Sequence, residues 1–171
     1  MSAQEKSIKI EKSFIESGIN DINFENIKRK LMLSFPEGRD WSKEQVDEAE
    51  KWYKRYLYLT YLDSNYPYVP NEPIDAFWHQ HILDTREYSK DCDKYIGHFL
   101  HHFPYFGLNG DAKERDDSFK VTNKEYIKHF GEDCLSMKFF KYTNEESKNG
   151  SNCNDSGSGT GCGQGCSGGN K

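Results

Sequence analysis

The segment from Ser42 to Thr60 restricts the fold most, because it predicts one long helix with a broad apolar face. Ser42 and Gln45 have the spacing of a capping box, in which each side chain bonds the backbone amide of the other residue. The residues of one face then recur at the helical intervals of three and four: Val46, Ala49, Tyr53, Tyr56, Leu57 and Thr60. Trp52 and Leu59 widen this surface. We therefore expect other helices to cover it, with this helix at the centre of the domain.

A helical stripe precedes the central helix, and a proline-rich segment follows it. Residues 23–35 carry apolar side chains at helical spacing: Phe24, Ile27, Leu31 and Phe35. Pro36 and Gly38 are predicted to end this helix. The central helix is predicted to end near residues 63–65. Residues 65–73 contain three prolines and are predicted to form a loop or an extended link.

The next helical pattern begins at Glu72 and has two alternative lengths. Residues 84–87 have capping-box spacing, so the helix could restart there. Alternatively, one continuous helix could run on to Gly97, which is a typical terminator. A last short helix is predicted from a third capping box at residues 122–125 to Gly131.

These patterns together predict an all-α fold, a compact bundle of about five helices. No convincing strand alternation and no internal repeat interrupts them. We expect residues 1–20 to form a flexible N-terminal arm and residues 21–142 to form the helical domain. From residue 143 onward Gly, Ser and Asn dominate, so residues 143–171 are predicted to be a disordered Gly/Ser/Cys-rich tail.

Charge and segment composition exclude several classes of partner. The net charge of −5 argues against broad nucleic-acid binding, which usually requires a basic excess. No apolar run has the length of a membrane span, and the first residues lack the apolar core of a signal peptide. We therefore expect a cytoplasmic protein without a nucleic-acid or membrane partner, and leave an unidentified protein partner open. Reduced thiols are expected for the five cysteines.

Five of the six histidines lie between residues 79 and 102: His79, His81, His98, His101 and His102. On a regular helix His79 and His81 are rotated about 200° apart, so they cannot hold one metal together. Asp75 precedes His79 by one helical turn, where its carboxylate could orient the imidazole. His101 and His102 fall on a predicted turn, so a site can combine one helical histidine with one or two from the turn.

The candidate ligands for a transition metal (Zn, Cu or Fe) are therefore His79, His81, His101 and His102. Side chains that could add an oxygen or sulfur ligand follow the histidine pair: Asp84, Tyr88, Asp91 and Cys92. The alternative is structural, because a histidine on an apolar stripe is more often a hydrogen-bonded core residue. Cys92 on the same stripe is likewise interpreted as a buried, unreactive thiol.

The tail contains a second thiol pattern, with Cys153, Cys162 and Cys166 among glycines. Thiolates on a glycine-rich chain can wrap a soft ion such as Cu(I) or Zn²⁺. Three ligands are one fewer than a closed zinc site uses. The alternative is that these cysteines are incidental to a low-complexity tail.

Within residues 75–107 several motifs follow one another in a fixed order: Asp75, Trp78-His79-x-His81, Tyr88, Asp91-Cys92, Tyr95-x-Gly97 and His101-His102-x-Pro104-Tyr105. This order resembles the glycine-rich domain-containing proteins, and the last motif is similar to their short bacterial relatives. The resemblance covers roughly residues 22–131, and the tail resembles the Gly- and Cys-rich ends of that group. It implies that His79, His81, Asp91 and Cys92 matter as a unit, but it implies no reaction.

Three functions are compatible with these residues. The first is a metal-binding protein that uses the histidine cluster, with the tail as an accessory thiol arm. The second is a metal-dependent oxidoreductase or hydrolase with a pocket beside His79 and His101. The third is a non-catalytic interaction module in which the histidines are structural. No nucleophile elbow, phosphate-binding loop, dinucleotide fingerprint or HExxH motif is present, so whether the protein is an enzyme is left open.

Overall fold

The computed structural model describes residues 13–140, which form helices and loops without a β-strand. Five α-helices lie wholly within this range: α1 (Glu25–Leu31), α2 (Lys43–Leu62), α3 (Glu72–Leu83), α4 (Thr85–Asp91) and α5 (Ala112–Phe130). A π-helical segment, Cys92–Ile96, continues α4, and 3₁₀ turns occupy Ile19–Asp21 and Cys134–Ser136. The predicted all-α class is confirmed. The predicted tail, including its three cysteines, lies outside the described residues.

Helix α2 is the centre of the fold, as its sequence predicts. The Ser42 hydroxyl accepts a hydrogen bond from the Gln45 amide at 3.2 Å, and the Gln45 side chain accepts from the Ser42 amide at 2.9 Å. The predicted capping box is therefore present. Helices α1, α3 and α5 all pack on α2. Most of its apolar side chains are buried: Val46, Ala49, Trp52, Tyr53, Tyr56, Leu57, Tyr58 and Leu59.

Helix α1 is shorter than its apolar stripe predicts. It ends at Leu31, and the following loop folds back onto that end. The Leu31 carbonyl accepts the backbone amides of Arg39 and Trp41 at 3.0 and 3.3 Å. A Cβ atom on Gly38 would lie 2.3 Å from a loop carbonyl, so this close return of the chain requires glycine. The predicted extension to Phe35 is wrong, and that side chain is 80% exposed.

The break at Asp84 decides between the two lengths proposed for the third helix. The chain leaves helical geometry at Asp84, with φ −83° and ψ 67°, and restarts at Thr85. Asp84 makes no side-chain capping bond, so the predicted capping box there is wrong. The second segment ends at Gly97, which has φ 85°, as predicted.

Helix α5 begins ten residues before the predicted capping box at residues 122–125. Thr122 lies inside the helix, where its hydroxyl donates to the Ser118 carbonyl and accepts from the Val69 amide, both at 2.9 Å. The predicted cap is therefore wrong. Polar residues occupy most of the buried positions in this helix: Arg115, Ser118 and Thr122 beside Phe119 and Tyr126. The buried residues recur at helical intervals, but because most of them are polar, a search for apolar periodicity does not detect the first half of this helix.

Residues 13–20, which belong to the expected N-terminal arm, contact the core. The Phe14 ring packs edge-on against Tyr58 and Phe130, with centroids 5.2 and 5.6 Å away. Ile19 is fully buried. The rest of the expected arm, residues 1–12, lies outside the described residues. Among residues 13–140, no helix combines the length and the apolar character needed to cross a bilayer.

Candidate metal centre

Helix α3 carries the first half of the candidate site and is fixed at its N-terminus. The Asn71 side chain accepts from the Ile74 amide at 3.2 Å, and its amide group donates to the Cys134 carbonyl at 3.2 Å. Apolar residues Ile74 and Phe77 bury one face of the helix against the core. Because the helix is anchored at its cap and along this face, the orientation of its other side chains is set.

His81 points into the core and belongs to a buried polar network. Its ring is 2% exposed. Nδ1 lies 3.0 Å from the Tyr53 hydroxyl, and Nε2 lies 3.2 Å from the Asp91 carboxylate. The rings of Phe24 and Tyr88 contact it edge-on, both with centroids 4.9 Å away. Both ring nitrogens are therefore engaged by protein, which is the structural role proposed for a histidine on an apolar stripe.

Tyr88 of α4 fixes the turn that carries the second half of the site. Its hydroxyl donates to the Leu100 carbonyl and accepts from Trp78 Nε1 at 3.0 Å. Burial raises the pKa of the Tyr88 hydroxyl, which therefore stays protonated and able to donate. The Trp78 ring also packs edge-on against His102, with centroids 4.5 Å apart. These contacts hold the turn against helix α3.

Asp75, His79 and His102 converge where the turn meets the helix. His79 Nε2 and His102 Nε2 are 3.1 Å apart. One Asp75 oxygen lies 3.1 Å from His102 Nε2, and the other lies 3.4 Å from His79 Nε2. All three residues offer ligand atoms within 4.8 Å of one another, so this cluster could hold a metal ion.

The spacing of these atoms fits a tetrahedral ion. Zinc binds nitrogen and oxygen at about 2.0–2.2 Å, which places neighbouring ligand atoms about 3.3 Å apart. The 3.1 Å between the two imidazole nitrogens is close to that value. One oxygen of the Asp75 carboxylate lies near each of the two rings. Two imidazoles and a carboxylate are also a donor set that Zn²⁺ and Fe²⁺ accept.

Burial favours the ligand-competent form of the cluster. The Asp75 side chain is 9% exposed, that of His102 15% and that of His79 38%. Burial lowers the pKa of His79; the nearby Asp75 charge opposes this shift, and His102 adds to it. A lowered pKa favours the neutral imidazole, which is the form that binds metals.

The structure therefore brings together two of the four histidines predicted as ligands. His79 and His102 meet, as expected for a site that combines the helix with the turn. His81 faces the core, and His101 is exposed with its ring against Phe99. Asp75, which the sequence suggests as a residue that orients His79, offers a carboxylate oxygen to the same cluster. The sequence feature that indicated Asp75 was its position one helical turn before His79.

The other candidate ligands of the body lie elsewhere. Asp91 bonds His81, and Tyr88 anchors the turn. Cys92 and Cys134 are buried, unbridged thiols. Burial raises the pKa of both thiols and so disfavours the reactive thiolate. This agrees with the interpretation of Cys92 as a structural residue.

A cleft of about 620 Å³ opens beside the cluster. Asp75 and His102 contribute to its wall, together with the exposed residues His98 and His101. Most of its remaining lining comes from aromatic residues and the proline-rich segment 64–70. Two of the three candidate ligands, Asp75 and His102, therefore border a concave space large enough for a small molecule.

The fold and the cluster define a helical protein with a His/Asp group that could hold a metal ion. The chain belongs to the UCP032817-like family, whose family model matches residues 16–130. No curated protein and no solved structure matches the chain. Nothing in these comparisons links it to the glycine-rich domain-containing proteins, so that relationship stays a prediction.

Proposed function

We propose that this protein binds one divalent transition metal ion, Zn²⁺ or Fe²⁺, through Asp75, His79 and His102. One observation carries the proposal: His102, 23 residues from His79 in sequence, places its Nε2 atom 3.1 Å from that of His79 and 3.1 Å from an Asp75 oxygen. Packing of the apolar core does not by itself explain why these three polar side chains converge. A bound cation would compensate the buried carboxylate and use the lone pairs of both rings.

The test is a metal titration of the full chain with Cys153, Cys162 and Cys166 replaced by serine. These substitutions remove the tail thiolates, which could bind metal by themselves. We expect one Co²⁺ ion per chain, seen as visible absorption bands, and competition by Zn²⁺. His79→Ala should weaken binding more than about 100-fold, because it removes a ligand rather than a ligand's hydrogen-bond partner.

The matched control is His101→Ala, which removes a histidine from the same turn that lies outside the cluster. It should leave the affinity and the stoichiometry unchanged. If no ion binds, or if His101→Ala and His79→Ala weaken binding equally, the proposed site is wrong.

The cleft favours a second candidate function, a metal-dependent oxidoreductase or hydrolase. Catalytic zinc sites use three protein ligands and keep a further position for water or substrate. Asp75, His79 and His102 supply three ligands, and two of them border the cleft. A closed structural site would have four protein ligands and no adjoining cavity. The non-catalytic interaction module is supported by the buried, hydrogen-bonded His81, but by no observation at the cleft.

Tyr88→Phe is expected to weaken metal binding by about tenfold, because substituting residues that support metal ligands typically costs 10–100-fold. The change removes the donor to the Leu100 carbonyl and the acceptor for Trp78 Nε1, so the turn that carries His102 loses its anchor. Co²⁺ titration measures the effect. Tyr58→Phe is the control, since it makes the same change at a buried tyrosine packed on Phe14 and Phe130. Equal affinities in the two variants would contradict the anchoring role.

A further inference from the structure

The cleft is lined by aromatic side chains of the kind that bind planar ligands. Aromatic side chains from several segments line it: Tyr56, Tyr66, Tyr68, Trp78, Phe99 and Phe103. Its volume of about 620 Å³ lies within the 300–1,000 Å³ that is typical of small-molecule sites. Phe99 and Phe103 are 49% and 60% exposed, so this aromatic surface is open to solvent. Aromatic surfaces of this kind favour stacking with a ring of the ligand.

Arg115 places a positive charge in the same cleft. It stands in the first turn of α5, and its side chain is only 10% exposed. Asp116 accepts hydrogen bonds from Nε and Nη2, at 3.3 and 3.0 Å. Nη1 makes no hydrogen bond to any residue within 13–140. A guanidinium has five N–H donors, so enough remain for a bidentate contact with a carboxylate.

The surroundings of Arg115 hold its side chain in place. Gly107 has φ 94°, and a Cβ atom there would lie 2.8 Å from Arg115 Cδ. The loop therefore packs directly on the stem of the arginine. The cleft wall contains two acidic residues, Asp75 of the candidate metal cluster and Asp111. Asp111 directs one carboxylate oxygen to the amides of Gly107 and Asn109 at 3.0 and 3.1 Å. These two hydrogen bonds fix the loop that packs on Arg115.

We propose that the cleft binds a small aromatic carboxylic acid, whose ring stacks on the aromatic walls and whose carboxylate pairs with Arg115. Asp75 and His102 line the same cleft as Arg115, so the acid would be the substrate of the proposed metal centre. This part of the inference rests on the proposed function. An oxygen elsewhere on the ligand would face the metal position. Charge complementarity selects an acid over an amide or an alcohol of the same shape.

The experiment compares phenylacetate with phenylacetamide, which have nearly the same shape but differ in charge. Both are titrated calorimetrically into the metal-free full chain with the three tail cysteines replaced by serine. We expect phenylacetate to bind at least about tenfold more tightly, as for one charge-assisted bidentate contact. Arg115→Gln should remove this preference and leave phenylacetamide binding unchanged, which also verifies that the variant is folded. Equal affinities in the unaltered cleft, or a preference that persists in Arg115→Gln, would overturn the proposal.

Asp116→Asn is the matched control, since it neutralises the neighbouring charge and leaves the guanidinium in place. It should keep or increase the preference for the acid, and a loss of preference would contradict the role of Arg115. A Co²⁺ titration separates the two proposals. If no Co²⁺ binds, the metal centre fails while the acid preference can still be measured. If Co²⁺ binds, 4-hydroxyphenylacetate, which carries a further oxygen on its ring, should alter the visible bands of the ion, and unchanged bands would overturn the assignment of the acid to this centre.

Discussion

Asp75→Asn is expected to lower the affinity for Co²⁺ or Zn²⁺ by more than about 100-fold, a larger loss than substituting a residue that merely supports a ligand. The change keeps the size of the side chain but removes the negative charge. Asp75 approaches both imidazoles, at 3.1 and 3.4 Å, so its loss affects the whole cluster. Titration of the full chain with serine at the three tail cysteines measures the effect.

Asp91→Asn is the matched control for this prediction. Asp91 is the other carboxylate that bonds a histidine of helix α3, and it lies 3.2 Å from His81. If the metal site is the cluster of Asp75, His79 and His102, Asp91→Asn should keep the affinity within about threefold, since sites without shared partners act independently. Comparable losses in the two variants would move the site to the His81 side of the helix.

His81→Ala is expected to lower the free energy of unfolding by about 3 kcal/mol, because leaving the fully buried Tyr53 hydroxyl unsatisfied costs about 1–3 kcal/mol and the lost ring leaves a cavity. The partners of His81 are the Tyr53 hydroxyl and the Asp91 carboxylate, and the ring also fills space against Phe24. Urea unfolding at neutral pH measures the change. The same variant should still bind one metal ion per chain at temperatures where it is folded.

His79→Ala is compared with His81→Ala in both measurements, stability and metal binding. Its side chain is 38% exposed, so we expect it to change the free energy of unfolding by less than about 1 kcal/mol, the usual range for surface positions. It should lose the metal site, whereas His81→Ala should lose stability. If His81→Ala does not fold, His81→Gln, which keeps one polar group in the network, gives the same comparison with a smaller loss. Stability losses of equal size at residues 79 and 81 would contradict the division of roles.

The fold was predictable wherever local pattern and burial coincide. Helix α2 has a capping box and an apolar period, and both are present in the structure. The first half of helix α5 was not predicted, because polar residues such as Arg115 are buried there and Thr122 takes a partner, Val69, from another segment. The length of α1 depended on a loop that returns to Leu31. Such contacts join distant parts of the chain and leave no local pattern.

The candidate site was predictable in part. The rotation of about 100° per residue separates His79 from His81, and this follows from helix geometry alone. The choice of His102 rather than His101 depends on how Tyr88 holds the Leu100 carbonyl. Similarly, Arg115 enters the cleft because α5 begins earlier than an apolar pattern indicates. These are properties of tertiary packing.

The divergence of His79 and His81 also limits how this segment can change in length. Inserting or deleting one residue between Asp75 and His79 would rotate Asp75 by about 100° relative to everything that follows it in the helix. Either the contact between Asp75 and His79 or the hydrogen bond between His81 and Tyr53 would then be lost, because the altered helix cannot keep both. Substitutions can be tolerated one face at a time, but a change of length affects both faces together. Among sequences that keep this core and this cluster, helix α3 should therefore be free of single-residue gaps between Asp75 and His81.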